Sequence, residues 1–178
     1  MLKLSPVALL DHPDDSKLAD EVFCRIGNLQ GAGITLQQGS DDVRIGYINP
    51  PKLSKEFRAV YLPYDVLGIV CNGGFDYLFE ADYADDPGYV YCEEALREIG
   101  YEPALRAFQD AKALVPEGTL RLEGFQRWTK WMAVPEKVRW KVSVEFMDMQ
   151  DQLIAAIAKY IRDHRSVFEK LPIPKYAQ

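Results

Sequence analysis

The chain has 178 residues, 48 % hydrophobic, 27 % charged and 12 % aromatic, a balance that fits one folded domain with a real core and excludes a disordered tail or a fibre. Lysine and arginine number 21 against 27 aspartates and glutamates, and a net charge of −6 gains nothing from counterion release, so direct nucleic-acid binding is not expected. No apolar run approaches the ~20 residues that span a bilayer, and Val7-Ala8-Leu9-Leu10 meets Asp11 too soon for a signal peptide, which excludes a membrane partner and leaves a cytoplasmic location as the expectation.

Leu18, Val22, Ile26 and Leu29 are spaced to share one helical face, which predicts an amphipathic helix over residues 16–30 with Ser16 or Asp15 accepting its first free N–H groups. Ile34-Thr35-Leu36 and Val43-Arg44-Ile45-Gly46-Tyr47 alternate around Gly39-Ser40-Asp41-Asp42 and read as a small β-hairpin within residues 34–48. Pro50-Pro51 opens a helical stretch carrying Leu53, Phe57, Val60 and Tyr61, which Pro63 interrupts. Apolar Val66 to Cys71 follows, then a break at Asn72-Gly73-Gly74 and a turn or two of helix from Phe75 to Ala81. Residues 82–88 read as loop, and helices at 91–99 and 102–115 end at Gly100 and Pro116.

Val138, Trp140, Val142, Val144 and Phe146 alternate as a strand would, yet no partner strand lies nearby. The stripe Phe146, Met149, Leu153, Ile157, Tyr160, Ile161 continues to Phe168 with helical spacing, and the helical reading is preferred for residues 136–146 as well. Trp128 and Trp131, three apart, read as buried, leaving Arg127 and Lys130 solvated or paired with acidic groups. The expected fold is a mainly α single-domain helical bundle. It comprises an N-terminal helix and loop or hairpin region over 1–50, a helical core over 51–170 and a flexible tail over 171–178.

The charge is unevenly placed. From Ala59 to Leu96 there are eight carboxylates, Asp65, Asp76, Glu80, Asp82, Asp85, Asp86, Glu93 and Glu94, and no lysine or arginine. Phe75, Tyr77, Phe79, Tyr83, Tyr89 and Tyr91 are interleaved with them, and tyrosine beside uncompensated charge suits a protein-recognition surface for a basic partner. Asp76, Glu80, Asp82, Tyr83, Asp85, Asp86, Tyr89, Glu93 and Glu94 are therefore the candidate partner-binding residues. The bland alternative is a solvated acidic loop. Calcium fits poorly, because Ala84 and Pro87 stand at the third and sixth positions of a loop beginning at Asp82, where an EF-hand needs a ligand and a glycine.

The run Val70-Cys71-Asn72-Gly73-Gly74-Phe75-Asp76-Tyr77-Leu78-Phe79, followed by Glu94-Ala95-Leu96-Arg97-Glu98-Ile99-Gly100, resembles the bacterial DNA-mimic-protein-like family, with Asn72, Gly73, Gly74 and Phe75 as its signature. Cys71 stands where an asparagine is usual in that pattern. The likeness covers roughly residues 53–118 and extends to the helix ending at Tyr160-Ile161-Arg162, but not to residues 1–50. It implies a mainly helical protein and, from one branch, a homodimer whose surface carboxylates replace DNA phosphates in the groove of a DNA-binding regulator. An immunity-type protein that neutralises a basic toxin would need the same acidity.

No catalytic or cofactor set is legible. Cys24, Cys71 and Cys92 are scattered, form no C-x-x-C pair and have no neighbouring histidine, which points to free thiols and neither zinc nor a disulfide framework. A hydrolase using Cys71 or Cys92 with His164 is the enzyme alternative. No lysine lies near Gly73-Gly74 to complete a phosphate site. The expectation is a protein without enzymatic activity, cofactor or metal.

Overall fold

The computed structural model describes residues 10–29, 50–80, 86 and 88–171, and among these there is no strand. The hairpin expected within residues 34–48 lies outside the described residues, as do Asp82, Tyr83 and Asp85. Helix α1 runs Asp15–Gly27, and its cap is Asp14, whose Oδ1 accepts from Ser16 N and Lys17 N, one residue earlier than the sequence suggests. Pro50–Lys52 forms a 3-10 turn, and helix α2, Lys55–Glu80, starts beyond it.

Helix α2 organises the bundle. Pro63 does not interrupt it, contrary to expectation; the residue is buried inside the helix, and the real discontinuity lies at Gly73-Gly74. Around α2 pack α1, α3 (Val90–Glu98), α5 (Gly124–Met132), α6 (Glu136–Met147) and α7 (Gln150–Asp163). Helix α4, Glu102–Ala113, closes against α3 and α6, and the short α8, Arg165–Phe168, follows α7. Residues 136–146 are helical, because Arg139, Val142, Ser143 and Phe146 all turn inward at steps of three and four. The stripe expected as one helix from 146 to 168 is broken near Asp148-Met149 and again at His164.

Residues 10–15 pack against the C-terminal helices. Leu10 is buried, Asp11 pairs with Arg165 at 2.6 Å, and Arg162 bonds Asp15 at 2.7 Å and donates to the His12 carbonyl. Leu171, the first residue of the expected tail, is 3 % exposed and its N–H donates to the Phe168 carbonyl, while residues 172–178 lie outside the described residues. No helix among the described residues is long and apolar enough to cross a membrane.

Candidate functional site

The signature residues build a joint. Asn72 Nδ2 donates to the Gly68 carbonyl at 2.8 Å, holding the end of the first half of α2. At Gly74 the backbone takes φ +68° and ψ −170°, a region open essentially to glycine, and a Cβ there would lie 2.8 Å from Ser143 Oγ. A Cβ on Gly73 would strike the Tyr77 ring. The break frees the Phe75 N–H, which donates to Ser143 Oγ at 3.0 Å, while that hydroxyl donates to the Arg139 carbonyl at 2.9 Å. A serine on α6 thus supplies the cap that restarts α2.

Phe75 then enters an aromatic core. Its ring centroid lies 5.5 Å from Phe79 and from Phe146 and 6.1 Å from Phe108. Phe79 meets Trp131 edge-on at 4.7 Å and Tyr89 at 5.3 Å. Such pairings add to the area these side chains bury. The next residue, Asp76, expected to bind a partner, instead pins the elbow between α5 and α6: Oδ1 accepts from Trp131 Nε1 at 2.7 Å and Oδ2 pairs with Arg139. Arg139 Nε donates to the Val134 carbonyl inside that elbow at 3.0 Å.

The other acidic candidates divide into inward and outward groups. Asp86 is 1 % exposed; its two oxygens accept from Tyr91 N at 2.8 Å and Cys92 N at 2.9 Å, so it caps α3. Tyr89 is also buried, with a left-handed φ of 57°, and its hydroxyl donates to the Leu78 carbonyl at 2.7 Å. Glu93 accepts from Arg97, Gln109 and Lys112 at 2.7–2.9 Å, tying α3 to α4. Partial burial works against its charge, but these hydrogen bonds and the Lys112 charge outweigh that penalty and hold the carboxyl below its usual range. Glu94 is exposed and lines a groove with Lys55, Arg58, Arg97 and Glu98. Glu80 is exposed at the end of α2, where the segment carrying Asp82 and Asp85 begins.

Trp131 is buried as expected, but Arg139 and Ser143 escaped the sequence reading and Arg127 was placed only in part. Arg127 is buried, not solvated, donating from Nε to the Phe79 carbonyl at 2.6 Å and from Nη1 to the Leu122 carbonyl at 3.0 Å. Trp131 is fully buried but Trp128 only partly so. Helical spacing was the available signal. Arg139, Val142, Ser143 and Phe146 fall at i, i+3, i+4 and i+7, as do Gly124, Arg127, Trp128 and Trp131.

Burial disfavours the thiolate at Cys71 and Cys92. Cys24, Cys71 and Cys92 form no disulfide; burial pushes the Cys71 thiol up, and full burial with the Asp86 charge alongside pushes Cys92 well up. Cys71 Sγ contacts Gln150 Oε1 at 3.6 Å, while His164 stacks on Tyr160 at 4.0 Å and meets that residue's carbonyl through Nδ1. Among the described residues no group of three or more His, Cys, Asp or Glu side chains is placed to hold a metal ion.

No curated protein and no solved structure matches the chain. The family model described as DMP19-like protein matches residues 51–164, a span that opens at the turn before α2, contains the Gly73-Gly74 joint and its α5–α6 partners, and ends with α7. The chain belongs to the DMP19-like protein family.

Proposed function

We propose that this chain is a non-catalytic protein-interaction module that occupies a basic, DNA-binding protein in place of duplex DNA. The observation that carries the reading is membership of a DNA mimic protein family. Physically, a groove lined with lysine and arginine attracts any rigid array of carboxylates at suitable spacing. Glu80, Asp82, Asp85 and Glu94, with Tyr83, are the contact residues in this reading. Asp76, Asp86, Tyr89 and Glu93 serve instead to hold the scaffold beneath them, since each is engaged internally.

The test is capture by the tagged full chain at about 50 mM and about 300 mM salt, because screening weakens an exposed charged interface. A basic DNA-binding protein recovered at low salt, displaced by added duplex DNA and lost with the triple variant Glu80→Gln, Asp82→Asn, Asp85→Asn is the expected result. Capture that neither duplex DNA nor the triple variant diminishes overturns the proposal.

A further inference from the structure

The end of α2 meets a surface of unusual composition. Phe125 is 77 % exposed, with its ring 6.2 Å from that of Trp128. At 100° per residue, Phe125, Trp128 and the exposed Met132 share one face of α5, while Gly124, Arg127 and Trp131 face the core and Lys130 and Gln126 point away from both. The start of α5 abuts α2: a Cβ on Gly124 would sit 3.3 Å from the Glu80 carbonyl oxygen. Glu80 and Glu123 are both exposed and, among the described residues, form no ion pair. The exposed Arg121 lays its stem along Gly88, and the buried Arg127 brings Nη2 to 3.8 Å from where a Cβ on Gly124 would sit. The exposed Phe125 ring and the partly exposed Trp128 thus lie on the helix that starts against the end of α2, where Glu80 and Glu123, among the described residues, enter no ion pair.

We infer that Phe125 and Trp128, with Glu80 and Glu123, form a receptor for arginine side chains of a protein partner, an inference that rests on the basic partner proposed above. A wholly apolar partner would bury two carboxylates without compensation. A lysine would neutralise them but holds its hydration shell and lacks a flat face. A guanidinium stacks on an aromatic ring and forks onto a carboxylate together. The ring contact has no counterpart in a phosphate backbone, so this part of the interface survives salt that dissociates the partner from DNA.

The test uses two synthetic peptides, one alternating arginine with alanine and one alternating lysine with alanine, of equal length and charge, titrated calorimetrically against the full chain at about 150 mM salt. The arginine peptide is expected to bind about 5- to 10-fold more tightly, the size of a stacked cation–π contact. Phe125→Ala removes this preference, and because the side chain is exposed the variant folds; the pair Glu80→Gln, Glu123→Gln weakens both peptides alike. Equal affinities for the two peptides, or a preference that persists in Phe125→Ala, overturn the inference. If those equal affinities still fall with Asp82→Asn and Asp85→Asn, the acidic-surface reading stands while the arginine receptor does not. No binding of either peptide also overturns the receptor.

Discussion

The segment from Ala59 to Leu96 and the α5–α6 region invert each other. The first is all acidic in its charged residues, yet Asp76, Asp86 and Glu93 turn toward the protein's own donors. The second mixes cations with tryptophan and phenylalanine, yet Arg127 and Arg139 go in while Phe125 and Trp140, 77 % and 60 % exposed, stay out. The two regions complete one another: Asp76 finds its partners 55 and 63 positions away in Trp131 and Arg139. A run of one sign is therefore weak evidence of surface charge in a bundle whose opposite-sign residues arrive from a distant helix. Phe125 and Trp140 likewise show that a large ring lies where its helical register sends it.

If the joint is what lets the two regions meet, breaking it should cost most. Gly74→Ala forces an L side chain into a glycine-only conformation and against Ser143 Oγ, and is expected to destabilise the fold by about 3–4 kcal/mol in urea titration. A loss under about 1 kcal/mol would mean that the kink relaxes freely and that Ser143 is no cap. Next comes Asp76→Ala, which strands the nearly buried Arg139 guanidinium and the Trp131 N–H, at about 2–3 kcal/mol. Combining it with Arg139→Met should recover part of that loss, since removing both partners of a pair costs less than orphaning one. Strict additivity of the two substitutions would show that the two regions are not coupled through this pair.

Much of the bundle was legible: the period of three and four residues located α1, α3, α4 and α7, and glycine and proline marked several ends. The halt at Gly73-Gly74 was visible for the same reason, because few other residues take such a backbone. Pro63 misled because a proline costs one hydrogen bond and a clash, which a long, buried helix can absorb. The alternation at 138–146 imitated a strand because Val138 and Trp140 are exposed helical residues that happen to be apolar. The pairings of Asp76 and Glu93 were hidden for a different reason: their partners sit on other helices, and only tertiary packing decides which carboxylate meets which cation.

Smaller effects sharpen the same contrast at single carboxylates. Asp86→Ala removes the cap of α3 and is expected to cost about 1–2 kcal/mol, read by thermal or urea unfolding. Glu93→Gln should cost about 1 kcal/mol near neutral pH, since it weakens three contacts at a partly exposed position. Its folded carboxyl is depressed, so the stability it contributes is present above the unfolded value of about 4.3 and disappears as pH falls through the lower folded value. The gap between wild type and Glu93→Gln in urea midpoints should accordingly close on acidification; a gap that widens would contradict the depressed carboxyl.

The smallest expected change is the most decisive for the contrast between inward and outward carboxylates. Glu80 and Glu123 are exposed and, among the described residues, take part in no ion pair, so Glu80→Gln with Glu123→Gln should leave the unfolding free energy within about 0.5 kcal/mol of wild type. A charge that stabilises nothing inside its own protein is free to be neutralised by another molecule, whereas Asp76 and Glu93 are already answered by arginine and lysine within the bundle. A loss above about 1 kcal/mol in the double variant would place these two carboxylates with the internal set. The outward acidity of this face would then be part of the scaffold, and the difference between the two groups of carboxylates would vanish.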